Sequence, residues 1–365
     1  MKRLYLLLIS TLAFSLSAQQ MLTIEECRRL AVQNNKELQI ADQRVKISSS
    51  DRKAAFTKYF PQLSATGTYL WNEKDINLVD YDHLGELSAL IPSQIKEATR
   101  LDIENVWVAG VSLVQPVFMG GKIVSYNQMT KYAEELAQSM NNLKLQQVIY
   151  KTDETYWQVI SLVNKKKLAD SYVALLQKMD SDVSEMINEG VATKAEGLSV
   201  KVRLNEAEMA QTKVENGLAL SRMLLAQLCG LPMHESVALA DEELTDLLLS
   251  RDIPEGNVND AFLNRMELKS LDLATRIYKK KESVVLADIL PNIALTANYL
   301  VTNPNSFNGF KNEFGGMFNV GVAMQVPLSG WWEGAHKRNA ARAETTIKRL
   351  ELEEAKEKIE LEVNQ

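Results

Sequence analysis

The chain has 365 residues, 46% of them hydrophobic and 24% charged, enough to bury one sizeable core or two or three smaller ones. Its 41 basic and 47 acidic residues are interspersed and leave a formal net charge of −6. That balance excludes the basic patch a nucleic-acid-binding protein needs, so no nucleic-acid partner is expected.

Met1-Lys2-Arg3, an apolar run from Leu4 to Leu16, and then Ser17-Ala18-Gln19 follow the order of a secretory signal: positive, apolar, small. Residues 1–18 are expected to be a signal peptide. No later window approaches the ~20 apolar residues of a membrane-spanning helix. A membrane, if this chain meets one, must be met without a helical span. Thr23 and Glu26 have the spacing of a capping box, with Leu22 and Cys27 as the apolar staple across it. The only other cysteine is Cys229. An exported chain allows the two to pair, but about 200 residues lie between them and sequence does not read their distance in space. The other reading makes both of them small buried apolar side chains.

Gln62 to Trp71 alternates with period 2, placing Leu63, Ala65, Tyr69 and Trp71 on one face and Gln62, Ser64, Thr66 and Thr68 on the other. A strand is predicted near residues 61–71. The stretch Asn72–Asn105, rich in Asp, Glu and Lys, reads as a solvent-facing loop, and a second strand follows near 106–118. There both faces carry apolar residues, with Trp107, Val111, Leu113 and Val117 assigned to the outer one.

Lys122 to Glu189 then runs 68 residues without Gly or Pro, between Gly120-Gly121 and Gly190. A helix of that length would reach roughly 100 Å at about 1.5 Å per residue. Apolar residues recur at steps of four and three: Met129, Ala133, Leu136, Met140 and Leu143, later Val173, Leu176, Met179, Val183 and Met186. This is a coiled-coil-like seam that demands helical neighbours. Gly190 is the natural reversal residue, since it adopts positive φ freely. A returning helix is predicted over 194–228, with Leu198, Val202, Met209, Met223 and Ala226 along its seam.

The plan then repeats. Ala31–Leu38 matches Ala261–Leu268 and Pro61–Tyr69 matches Pro291–Tyr299, both at an offset of 230; Gly110–Pro116 matches Gly321–Pro327 at 211. Three matches in the same order mark a duplication: a first repeat over 19–250 and an incomplete second over 251–365. Strands are predicted near 291–301 and 318–329, with Ile293, Leu295 and Tyr299, and Val320, Val322 and Met324, on the apolar side. Strands of about 9–11 residues with one apolar face suit a transmembrane β-barrel, although a half-buried sheet in a soluble sandwich shares the alternation. Four strands close no barrel by themselves, since the smallest membrane barrels need eight.

Other chemistry is sparse. His83, His234 and His336 have no second ligand at metal spacing. Lys165-Lys166-Lys167 and the Glu351, Glu353, Glu354 run read as solvated helix faces. Gly120-Gly121 and Gly315-Gly316 bound strands and do not form phosphate loops. Trp331-Trp332, just past a strand end, suits either a membrane-interface belt or packing where strands hand over to helices, and packing is the expectation. No catalytic residue, metal or cofactor is expected.

The duplicated helix-strand-strand-helix plan, the Asn34–Leu38 and Asn264–Leu268 pair, the strand ends Gln115-Pro116-Val117-Phe118 and Val326-Pro327-Leu328, the turn Asn188–Thr193, and Leu228–Pro232 together resemble the TolC-like outer-membrane efflux factor family. The resemblance covers nearly all of residues 22–365. It implies a mainly α fold with a β-barrel part: a homotrimer with a 12-stranded barrel in the outer membrane, continued by an α-helical periplasmic tunnel. The implied function is a passive conduit of a tripartite efflux or type I secretion system, exporting small molecules or proteins. Its implied partners are a periplasmic adaptor protein, an inner-membrane pump and outer-membrane lipid. The residues expected to face that lipid are Leu63, Ala65, Tyr69, Ile293, Leu295, Tyr299, Val320, Val322 and Met324. Glu189, Gly190, Val191, Ala192 and Thr193 are expected to dock the adaptor. The competing reading is an exported coiled-coil scaffold or adaptor without channel activity, its strands forming a soluble sheet. One departure from the family pattern is that the second copy stops at Gln365, about 30 residues past Trp331-Trp332, so the chain reads as truncated or as a fragment.

Overall fold

The computed structural model describes residues 21–233, 237–243 and 256–365; the expected signal peptide, His234 and the expected repeat boundary near 250 lie outside them. The helices are α1 (Ile24–Asn34), α2 (Lys36–Phe56), the short α3 (Ser93–Ala98), α4 (Lys122–Asn188), α5 (Lys194–Cys229), α6 (Val258–Asn264), α7 (Met266–Ala287) and α8 (Gly330–Asn364). The strands are β1 (Gln62–Trp71), β2 (Ile76–Asn77), β3 (Arg100–Leu101), β4 (Asn105–Met119), β5 (Asn292–Asn303) and β6 (Gly315–Gln325). The chain divides into two compact units, Met1–Val45 with Ala137–Glu267, and Lys46–Leu136 with Leu268–Gln365. No described helix is long and apolar enough to cross a membrane.

The first unit is helical. Thr23 caps α1: its hydroxyl accepts from the Glu26 N–H while the Glu26 carboxylate accepts from the Thr23 N–H. Leu22 and Cys27 are both buried beside that cap. A main cluster gathers Leu22, Cys27, Tyr156, Val159, Ile160, Leu225, Ala226 and Cys229. The fully buried Tyr156 ring keeps its hydroxyl satisfied by donating to Asp241 Oδ2 at 2.7 Å, as a buried phenol requires. Arg28 of α1 grips Asp153 of α4 through two bonds of 2.7 and 2.8 Å. Thr152 and Thr155 sit wholly buried, each turning its hydroxyl back to a carbonyl one turn earlier.

On α5 the buried residues are Gly197, Val200, Ala207, Leu218, Ser221, Leu225, Ala226 and Cys229. Of the predicted seam only Ala226 is among them; Leu198, Val202, Met209 and Met223 stand exposed. Near the turn small side chains take the inner face and let the helix backbones approach, whereas Leu218 and Leu225 fill it in the main cluster. At Gly197 an added Cβ would lie 2.7 Å from Ile187 Cδ1 of α4. The seam on α4 shifts in the same way, with Ser139 buried and Met140 half exposed.

α4 and α5 end alike. The Gly190 N–H donates to Ile187 O and the Val191 N–H to Met186 O; the Gly230 N–H donates to Gln227 O and the Leu231 N–H to Ala226 O. Both are Schellman closures with a left-handed glycine, φ 76° and 70°. Around Gly230 the side-chain amides of Asn34 and Asn35 donate to Cys229 O and Leu228 O, each at 3.3 Å.

The second unit holds the sheet, antiparallel throughout in the order β1-β4-β5-β6. Asn72–Asn105, expected as a loop, contains the β2–β3 ladder and α3. β6 begins three residues before its predicted start and ends at Gln325, so Val326 and Leu328 fall outside it. Pro327 lacks the N–H that would extend the ladder. Pro116 is tolerated inside β4 because β1 pairing stops at Val114, leaving β5 as the only partner there. A bulge between Pro116 and Phe118 then pairs Phe118 with Ile293. Phe118 thus takes the register place that alternation gave to Val117. Trp331 and Trp332 open α8 and are exposed, contrary to the expected packing; only the Trp331 indole N–H is engaged, to Ile289 O at 3.1 Å.

Gly230 tests the closure at the end of α5. A Cβ there would meet Asn34 Cβ at 2.4 Å, whereas one on Gly190 meets nothing within 4 Å. Gly190→Ala should cost about 1–2 kcal/mol for its left-handed backbone alone. Gly230→Ala should cost more and lower the midpoint of denaturation further in detergent. Equal midpoints would mean that α1 does not press on this turn.

Candidate functional site

Two places carry the residues singled out by sequence, and each lies within one unit. In the sheet, register aligns the apolar positions strand by strand. Leu63 pairs with Leu113, Leu113 with Ala297 and Ala297 with Val320. The next row is Ala65, Val111, Tyr299 and Phe318. Tyr69 pairs with Trp107, their rings 4.5 Å apart, and the Tyr69 hydroxyl donates to Asn105 Oδ1 at 2.7 Å. Leu295 pairs with Val322 and Ile293 with Met324. Directly paired residues in an antiparallel sheet share a face, so all nine predicted positions lie on one side. Val320, Val322 and Met324 are 63–67% exposed there, and Leu63 is 71% exposed. Apolar side chains exposed side by side across paired strands form one contiguous patch, the kind that marks an interaction surface.

The opposite side is mixed, with a polar row between apolar pairs such as Leu70–Val106 and Leu300–Met317. Ser64, Ser112, Asn298 and Asn319 form one row across all four strands. Ser112 Oγ donates to Asn298 Oδ1 at 2.6 Å, and Asn298 Nδ2 donates to Asn319 Oδ1 at 3.0 Å. The sheet therefore separates a uniformly apolar side from one that carries its polar row, and among the described residues its outer strands β1 and β6 each have one partner.

The second place is the α4–α5 turn. Glu189 and Gly190 are exposed, Val191 is 72% exposed, and Ala192 is partly covered. Ala192 follows Val191 in donating to Met186 O, at 3.1 Å. Thr193 is the N-cap of α5, its hydroxyl accepting from the Glu196 N–H while Glu196 accepts from the Thr193 N–H at 2.7 Å. These bonds hold the exposed Glu196 carboxyl below its ordinary range. Thr193 is thus committed to the turn. The Thr-x-x-Glu spacing that reveals this at Thr23 is present at Thr193 too, and sequence reading passed over it. Val191 and Ala192 line an open groove of about 400 Å³ with Met179, Val183, Met186, Val200 and Arg203.

The remaining candidates are occupied locally. His83 Nδ1 lies 2.7 Å from Asp80 Oδ2 on the surface, and His336 is exposed. Lys166 pairs with Asp170 and Glu215, and Lys167 donates to Glu242 O. Among the described residues no group of three His, Cys, Asp or Glu side chains is placed to hold a metal ion.

The family model described as "Outer membrane efflux protein" matches residues 28–231. Among solved structures, the CmeC outer membrane channel of Campylobacter jejuni superposes with a TM-score of 0.71 at 15% identity, over 91% of this chain and 67% of that one. The outer membrane protein VceC of Vibrio cholerae gives 0.68 at 12%, over 92% and 75%. The open-state MtrE outer membrane channel of Neisseria gonorrhoeae gives 0.66 at 13%, over 92% and 70%. At such identities the likeness is one of fold. No curated protein compared with the chain matches its sequence.

Proposed function

Because the chain belongs to the outer membrane efflux protein family, we propose that three copies of it complete one channel, each contributing four strands to a shared 12-stranded barrel. The chain is an outer-membrane efflux channel component, seated in the outer membrane and extending into the periplasm. The observation that carries the trimeric reading is the sheet: one face apolar and exposed, the other crossed by a polar row, two edges unpaired among the described residues. An unpaired backbone group in lipid costs several kcal/mol, so a single copy is not a stable membrane species. The soluble-sheet scaffold reading would need a cover for that apolar face, and no described element of the chain's second unit packs upon it. Leu63, Ala65, Tyr69, Ile293, Leu295, Tyr299, Val320, Val322 and Met324 face lipid in this reading, and the polar row faces the lumen.

The turn is the natural contact for a periplasmic adaptor, itself coupled to an inner-membrane pump. Val191 and Ala192 support this because they are apolar, lie outside the buried clusters, and border a groove lined by Met179, Val183, Met186 and Val200 together with Glu196, Ser199 and Arg203. The domain organisation follows the duplication, with residues 19–250 supplying one hairpin of strands and 251–365 the other.

Crosslinking in native outer membranes is the direct test, and trimers are the expected product. A monodisperse monomer in mild detergent would remove the shared barrel. At the sheet face, Val322→Arg should cost about 2–4 kcal/mol of membrane assembly, as a midplane cation does on a lipid-facing strand. Ala323→Arg, on the side of the polar row, should assemble normally. Equal harmlessness of the two would reverse the lipid assignment. At the turn, Val191→Asp combined with Ala192→Asp preserves Gly190 and the Thr193 cap. Trimer levels should be unchanged and export of the cargo lost; surviving export would leave these residues as a turn and nothing more.

A further inference from the structure

Cys27 and Cys229 are the chain's only cysteines and sit 202 positions apart. Both are fully buried in one apolar cluster, with Leu22, Tyr156, Leu225 and Ala226 around them. The Cys229 thiol donates to Cys27 O at 3.6 Å, which brings the two cysteines together, and both thiols are free in this structure. The Asn34 and Asn35 amides, bound to Cys229 O and Leu228 O, hold the end of α1 against the last turn of α5. Among the described residues no third His, Cys, Asp or Glu is placed with the pair to hold a metal ion. The compartment is periplasmic, where cysteines that meet in a fold are oxidised.

We propose that Cys27 and Cys229 are a disulfide site, joined in the exported protein so that α1 is tied covalently to the end of α5. The inference goes beyond channel function and rests only on the helices lying in the periplasm. The electron acceptor is a periplasmic protein disulfide of the dithiol–disulfide oxidoreductase class. One cysteine thiolate attacks that disulfide, giving a mixed disulfide and releasing one oxidant thiol. The second cysteine thiolate attacks the chain's own sulfur in the mixed disulfide and expels the other oxidant thiol. Two protons and two electrons leave the chain, and the oxidant is reduced to its dithiol. Burial and the neighbouring Cys229 push the Cys27 thiol up in pKa, and the thiolate is the reactive form. With both cysteines fully buried, the finished bond is shielded from reductant.

The test uses the full chain exported to its own outer membrane. Cells are quenched in acid and the protein is denatured with maleimide-polyethylene glycol, with and without prior reduction. No adduct is expected without reductant and two adducts after it. Unreduced tryptic digestion should link the peptide ending at Arg28 to the peptide Met223–Arg251. Alkylation of both thiols in most chains without reductant, or a bond between two chains, would overturn the proposal. A reduced pair in a chain that still crosslinks as trimers would remove the disulfide and leave the channel reading intact.

Discussion

The sheet is governed by where its backbone hydrogen bonds go. β4 and β5 are paired on both sides, while β1 and β6 each leave one row of N–H and C=O groups without a partner inside the chain. In water those rows would be solvated at little cost, but the apolar face beside them argues for lipid, where no solvent replaces a strand. The helices of the first unit pose the same demand more mildly. Leu168, Tyr172 and Leu175 repeat along α4 at steps of four and three, and all are exposed. A second helix stripe of that spacing is a surface for a neighbour. Shared strands and side-by-side helices from identical copies meet both demands together.

The strands were legible because period-2 alternation has one meaning once a face is fixed. Val320, Val322 and Met324 point one way in sequence and in the paired sheet alike. The bulge at Pro116–Phe118 was not legible, since both faces of that stretch are apolar and nothing in the spacing marks an extra residue. The turn at Gly190 could be read because 68 residues without Gly or Pro leave it as the only break. The seam of α5 could not. That helix carries two apolar stripes, and hydrophobicity ranks the larger side chains first. Packing against α4 turns the other stripe inward, so Gly197, Val200 and Ala207 are buried while Leu198, Val202 and Met209 are not.

The duplication is visible in local geometry as well as in sequence. α1 breaks into α2 at Asn35 and α6 into α7 at Arg265, both with extended backbone, φ and ψ of −62° and 126° against −69° and 122°. The same interruption is kept by different side chains. Asn35 accepts from the Glu37 N–H and donates to Leu228 O, roles Arg265 has no acceptor to imitate in full. What the repeat preserves is the backbone break itself.

The polar row through Ser112, Asn298 and Asn319 has a consequence for how the strands find their alignment. A slip of one residue between β5 and β6 would move every side chain of β6 to the other side of the sheet. Val320, Val322 and Met324 would join the side of the polar row and Asn319 the apolar side, and the Asn298–Asn319 amide bond would be lost as well. Misalignment is therefore penalised twice, by solvation and by an orphaned amide. The side-chain pattern of the sheet is thus itself a check on strand register.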